Sequence, residues 1–207
     1  AEAGAALVIV EHSFIAPEGR MTAGQLGIDD DRLVPGLKEL ARTIAATGAA
    51  SAIQLAHAGA NTSAEICGGQ PVGPSDVPVP PREEKPRPLS LDEIDGLVEL
   101  YRAATLRALE AGFDAIEIHG AHGFLLNQFA SPFTNRRDDR YGGCTENRMR
   151  LPLEVIAAAR EEAGDGYPLL YRLGASDYHE GGIDIEEGRR IAVMLAAAGI
   201  DIIDVSG

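Results

Sequence analysis

The chain is nearly without cysteine, with two in 207 residues, Cys67 and Cys144, and no CxxC pair. Two thiols cannot build a disulfide framework, so a disulfide-held secreted scaffold is excluded and a reducing, cytoplasmic setting is expected. Positive charge is also scarce. Its 18 basic residues face 32 acidic ones, a net charge of −14, which argues against a general binder of nucleic acid or anionic membranes. No apolar run approaches the roughly 20 residues that cross a bilayer. The opening AEAGAALVIVEHS is acidic, lacks a basic n-region and leads straight into a strand-like run, unlike a signal peptide. No GxGxxG follows that run, which weighs against a dinucleotide-binding sheet.

What remains is an ordinary globular mixture, 45% apolar and 24% charged, long enough for one sizeable core. Apolar runs at 6–11, 51–55, 115–119, 169–173 and 200–205 read as strands. Helical patterns cover 33–47, 90–110, 146–163 and 185–198, each closing at a glycine suited to a left-handed cap. The second opens with Ser90-Leu91-Asp92-Glu93, a capping box. Strand–helix alternation implies parallel strands joined by right-handed crossovers. Most of the strands end in polar residues, as at the mouth of a barrel. The expectation is a single α/β domain over 1–207, a TIM (β/α)8 barrel left incomplete by having five strands. Residues 1–5 read as the end of a helix. Residues 59–88, rich in glycine and proline, read as a long loop.

Candidate chemistry concentrates in 117–150, EIHGAHGFLLNQFASPFTNRRDDRYGGCTENRMR. Alternation puts Glu117 and His119 on one strand face and Ile116 and Ile118 on the other. His119 and His122 suit an anion or a polarised carbonyl oxygen, by hydrogen bond or as imidazolium. Two internally satisfied histidines are the plain alternative, and a metal reading lacks a third ligand. Gln54 and His57 lie where a strand meets its loop; glutamine suits an imide edge or simply bonds neighbouring strand ends. Arg172, inside an apolar strand, needs an acid or an anionic ligand, and Glu117 is a candidate partner. The charged stretch 134–143 reads as a loop knitted by ion pairs, and Cys144 as a small residue at a helix entry.

Taken together and in order, seven pieces resemble the old yellow enzyme family of flavin-dependent ene-reductases. They are VEHSFIAPEGR, LGIDDDRLVPGLKEL, IQLAHAGA, GPSDVPVP, the 117–150 stretch, YRLGASDY and IDIIDVSG. The nearest branch holds xenobiotic reductases, 2-enoate reductases and 2,4-dienoyl-CoA reductases. The resemblance implies the second to sixth strands of an FMN-binding (β/α)8 barrel. NADH or NADPH reduces the flavin, and hydride then passes to an activated alkene. By position, Gln54 would contact the flavin pyrimidine edge, Arg172 would lie near its N1 and O2, and the His12 backbone would approach the isoalloxazine. His119 and His122 would bind the substrate carbonyl oxygen. Phe124 stands where many relatives carry a tyrosine that donates a proton. The implied partner is a small-molecule alkene, not nucleic acid or membrane, with a homo-oligomer left open for the full-length protein. Two rivals stay open: a non-catalytic partial product, and a non-flavin barrel lyase using the histidine pair.

Overall fold

The computed structural model describes residues 4–206. In chain order it comprises β1 (Leu7–Phe14), α1 (Val34–Ala45), β2 (Ala50–Ala56), α2 (Ala64–Cys67), β3 (Val72–Gly73), β4 (Arg87–Pro88), α3 (Leu91–Ala111) and β5 (Ala115–Gly120), followed by α4 (Leu125–Ala130), α5 (Thr145–Arg148), α6 (Arg150–Ala163), β6 (Leu169–Gly174), α7 (Ile185–Ala197) and β7 (Ile202–Ser206). The main sheet has the order β1-β2-β5-β6-β7 and is parallel throughout. Strand order never reverses, so the connecting helices collect on one side and the sheet curves as an arc of a barrel rather than a doubly wound layer. The helix end read at residues 1–5 falls mostly outside the described residues.

Period-two alternation divides each strand between two environments. Ile53, Leu55, Ile116, Ile118, Leu169, Tyr171 and Leu173 face outward. There they join Leu37 of α1, Ile94 and Leu97 of α3 and Val155 of α6 in the main core. Each large apolar side chain buried there stabilises the fold by about 1.5–3 kcal/mol. The inward face carries a small apolar patch, Ala52, Ala115 and Leu170, with Ile9 against it, and Ala56 at the end of β2 joins a second one with Ala58, Phe124 and Met21. Contact between β5 and β6 is close: a Cβ on Gly120 would lie 2.0 Å from the Tyr171 hydroxyl.

Helix α3 forms as its sequence dictates. Ser90 Oγ accepts from Glu93 N, Glu93 Oε2 accepts from Ser90 N at 2.8 Å, and Gly112 closes the helix at φ 78°. Other expectations need correction. The strand expected at 6–11 continues to Phe14 through an irregular register between Val10 and Ser13. The loop at 59–88 contains α2 and the two-stranded β3–β4 pair. The helix expected over 146–163 breaks at Met149 into α5 and α6. Pro152, near the start of α6, has no N–H to continue a ladder from Arg148, so the helix restarts there. Helix α4 was not anticipated; all six of its residues are buried. The loop at 134–143 is ion-paired only in part. Arg137 meets Asp139 at 2.6 Å but also donates to the backbone oxygens of Leu89 (2.7 Å) and Pro74 (3.0 Å). Among the described residues no helix is long and apolar enough to cross a membrane.

One buried ion pair ties the outer helices together. Arg148 of α5 pairs with Glu187 of α7, Thr145 Oγ1 donates to the same carboxylate at 2.7 Å, and Arg148 Nε donates to Ala130 O at 2.8 Å. Removing the cation leaves a buried, uncompensated carboxylate. Arg148→Met should therefore lower unfolding free energy by about 3–5 kcal/mol in urea titrations. The double variant Arg148→Met/Glu187→Leu should recover most of that loss.

Candidate active site

The inward faces of the strands carry the polar groups. Parallel register sets Gln54 opposite Glu117, His119 opposite Arg172, and Arg172 opposite Asp204. Gln54 Nε2 donates to Glu117 Oε2. Arg172 Nη1 meets Asp204 Oδ2 at 2.6 Å, and Nη2 donates to Ser206 Oγ at 3.2 Å. Ser206 Oγ in turn lies 2.7 Å from His122 Nε2. The expected Arg172–Glu117 partnership is thus replaced. Glu117 is taken by the residue opposite it on β2, while Asp204 is the acid opposite Arg172 on β7. Arg172 is also half-buried, with its side chain 31% exposed, rather than sealed inside its strand.

The histidines differ in role. His119 is buried at the end of β5, and neither ring nitrogen has a protein partner. The His122 ring lies with its centroid 5.2 Å from that of His119, and the Phe124 ring meets His119 edge-on at 4.4 Å. The His12 ring stacks 6.2 Å from His119, and its carbonyl accepts from Gln25 Nε2 at 2.9 Å. Burial, reinforced by His122, His12 and Arg172, pushes the His119 pKa down to about 3. Burial, then Arg172 and His12, also lower His122. Both rings are therefore neutral at pH 7, which selects hydrogen bonding over the imidazolium form. Burial raises the Glu117 carboxyl, partly offset by the Gln54 hydrogen bond.

His57 does not join this group. Its Nδ1 accepts from Gly59 N at 3.0 Å in a tight turn, its ring packs against Gly19, and burial holds its pKa at about 4. Cys144 is an exposed residue preceding α5, as expected of a helix entry. Sequence reading did not single out Ser206 as the link between Arg172 and His122; its place at a polar strand end was the only signal. Beside His122 opens a cavity of about 370 Å³, walled by Val79, Pro80, Phe133, Tyr178 and His179. Among the described residues, His122 (φ 57°) and Tyr178 (φ 49°) are the non-glycine residues with left-handed backbones, and both line this cavity. Such conformations concentrate at ligand sites, where surrounding contacts sustain them.

A parallel barrel presents its chemistry at the C-terminal ends of its strands. Here those ends hold polar atoms that the protein itself leaves unpaired, the layout of the active-site mouth of a barrel protein. Its particular kind follows from similarity to known proteins. The model for the NADH:flavin oxidoreductase / NADH oxidase family matches residues 1–207, and the chain belongs to that family. It is 44% identical over 208 residues to an NADH oxidase of Thermoanaerobacter brockii, covering 100% of this chain and 32% of the relative. It is also 44% identical over 206 residues to an NADPH dehydrogenase of Bacillus pumilus (strain SAFR-032), covering 100% and 60%. Among solved structures, 2-naphthoyl-CoA reductase in complex with 2-naphthoyl-CoA superposes with a TM-score of 0.93 at 32% identity, over 99% of this chain and 34% of the other. Morphinone reductase in complex with tetrahydroNAD gives 0.87 at 35% identity, over 95% and 60%. The chain thus spans between 32% and 60% of the curated relatives' length. FMN is the family's cofactor, and its relatives are named for NADH or NADPH. The resemblance read from the sequence is borne out for family, barrel fold and cofactor.

The buried neutral histidines make stability depend on pH. His57 and His119 have folded-state pKa values below the ordinary 6.5. The unfolded chain therefore binds more protons below pH 6.5, and stability falls as pH drops from there toward about 4 for His57 and about 3 for His119. Denaturant melts should show a loss of about 2 kcal/mol per buried histidine between pH 7 and pH 5. The raised Glu117 carboxyl works in the opposite sense, so the loss is read as the difference between wild type and a His57→Phe/His119→Phe variant, and the same pH dependence in both would contradict neutral burial.

Proposed function

We propose that this chain carries the substrate end of an FMN-dependent oxidoreductase. In this reading, reducing equivalents from NADH or NADPH reach the activated C=C bond of an α,β-unsaturated carbonyl compound. The observation that carries the proposal is the set of buried inner-face atoms without protein partners: both ring nitrogens of His119, Arg172 Nε and Glu117 Oε1. Buried polar atoms normally find partners, so this cluster calls for a ligand rich in hydrogen-bonding edges.

These residues fit FMN. An isoalloxazine edge alternates imide acceptors with a donor N–H, which matches a guanidinium N–H, a glutamine amide and a nearby carboxyl. Gln54 and Arg172 would hold the flavin edge, with the His12 backbone against its ring. Bound FMN would supply a two-electron carrier that accepts and returns hydride.

His119 and His122 would hold the substrate carbonyl oxygen. Both are neutral, so each would act as an N–H donor whose hydrogen bond strengthens as negative charge builds on that oxygen. Ser206 bonds to His122 Nε2 and would fix that ring's orientation. Phe124 has no O–H, so protonation of the product carbon is assigned to water entering from the adjoining cavity. The walls formed by Val79, Pro80, Phe133 and Tyr178 suit the apolar body of an enone.

Spectroscopy tests this directly. The purified protein should bind FMN with a visible flavin band that NADH or NADPH bleaches anaerobically and 2-cyclohexenone restores. His119→Ala should lower kcat/KM for the enone by about 10²-fold while the flavin band remains. A protein that gains no visible band from added FMN would sink the reading.

A further inference from the structure

The left-handed backbone at His122 is held by side chains outside the ring of groups described so far. Helix α4 begins after Phe124, and two adjacent residues on it reach back over the loop. Asn127 Oδ1 accepts from Gly123 N at 2.7 Å. Gln128 Nε2 donates to Gly123 O at 2.6 Å. Across the loop, Asn61 Nδ2 donates to His122 O at 3.1 Å. The peptide between His122 and Gly123 is therefore gripped at both its oxygen and its N–H, and the next peptide at its oxygen.

Gln128 does more than close its own turn. Its amide also donates to Ala58 O at 2.9 Å and accepts from Ala60 N at 3.1 Å. One side chain, 1% exposed, so bridges the loop after β2, which follows Gln54, and the loop after β5, which holds His122. The fit leaves no slack. Gly59 lies there at φ 60°, and a Cβ on it would come 2.5 Å from Gln128 Oε1. Asn127 extends the same grip toward the loop after β6 through Asp177, at 3.3 Å.

We propose that Gln128, together with Asn127, is a positioning residue for His122, fixing its strained backbone and so the place of its imidazole beside His119. Both side chains also line the cavity beside His122, so the position of the His122 ring, read without any ligand, separates positioning from direct substrate contact. A hydrophobic residue of the same length would fill the space, but it would leave the Gly123 carbonyl and the Ala60 N–H without the partner that Gln128 supplies, while Ala58 O keeps its bond from Asn61 N at 3.0 Å, and it would free the loop to relax toward an ordinary backbone conformation. The inference rests on the proposed function only for its catalytic consequence, because the placement of His122 can be read without any ligand.

The test uses Gln128→Met, of similar shape but without the amide, and Gln128→Glu, which keeps the acceptor for Ala60 N and loses both donated bonds. Histidine-labelled protein would be followed by NMR across pH. Both variants should shift the His122 ring signals and move its titration midpoint up toward about 6.5. In FMN-loaded protein the dissociation constant for 2-cyclohexenone should rise about tenfold, with FMN affinity altered less than twofold. A folded Gln128→Met protein with wild-type His122 signals would overturn the proposal. If that variant does not fold, Asn127→Ser, which removes the bond to Gly123 N, is read in the same way with the same deciding outcome. Wild-type protein that binds neither FMN nor enone would defeat the functional reading while leaving the His122 signals decisive for the positioning role.

Discussion

The parallel register between neighbouring strands is the constraint on which the mouth of this barrel rests. A slip of one residue would turn His119 and Arg172 outward into the helix layer and bring Ile118 or Tyr171 into the mouth. The chain pins that register with one device used twice. Asp114, just before β5, donates its N–H to Ser51 O and accepts from Ser51 N at 2.8 Å. Asp201, just before β7, donates its N–H to Leu169 O and accepts from Leu169 N at 2.8 Å. Both aspartates follow a helix-ending Ala-Gly and one apolar residue, AGFD and AGID. The glycine ends the helix, the apolar residue enters the core, and the carboxylate locks the incoming strand to the base of the one before it.

With register fixed at the base, the polar mouth becomes an electrostatic problem. Charges on an inward face are costly unless paired. Pairing here runs across strands: Gln54 with Glu117, and Arg172 with Asp204. Asp204 lets a guanidinium stand near two histidines without an uncompensated charge, and Ser206 passes the same network on to His122. Burial above all, with the positive potential of Arg172 added to it, disfavours protonated imidazoles, so His119 and His122 remain neutral donors. The inner-face atoms left over sit on the neighbouring strands β5 and β6, at His119, Arg172 and Glu117, while Arg20, His57 and Tyr101 hold further unpartnered atoms away from that face.

Much of this was legible in the sequence where physics acts locally. Strand alternation placed Glu117 and His119 on the inner face because a period of two needs no tertiary information. The capping box at Ser90 and the left-handed glycine at Gly112 bounded α3 for the same reason. What was hidden depends on pairing between distant segments. Arg172 signalled that it needed an acid, but the choice of Asp204 over Glu117 is made by which strand lies beside β6. Helix α4 is only six residues long and buried on every side, so it shows no amphipathic stripe to read. The break at Met149 was readable in Pro152 and was overridden by the apolar periodicity around it.

Phe124 brings the local and the distant together. Its ring lies edge-on to His119 and within 5.1 Å of His12, buried and beside the start of α4. A buried tyrosine at this position would need a partner for its hydroxyl; phenylalanine needs none, and it removes polar surface from beside an imidazole already short of partners. The effect is to dry the site around His119, which strengthens any hydrogen bond that ring makes to a ligand oxygen. In the function proposed, the same substitution divides the labour. Oxygen binding falls to two neutral histidines held by the β5 loop, and proton supply falls to water in the cavity on the open side of His122, where a dry first contact and a wet second one can coexist a few ångströms apart.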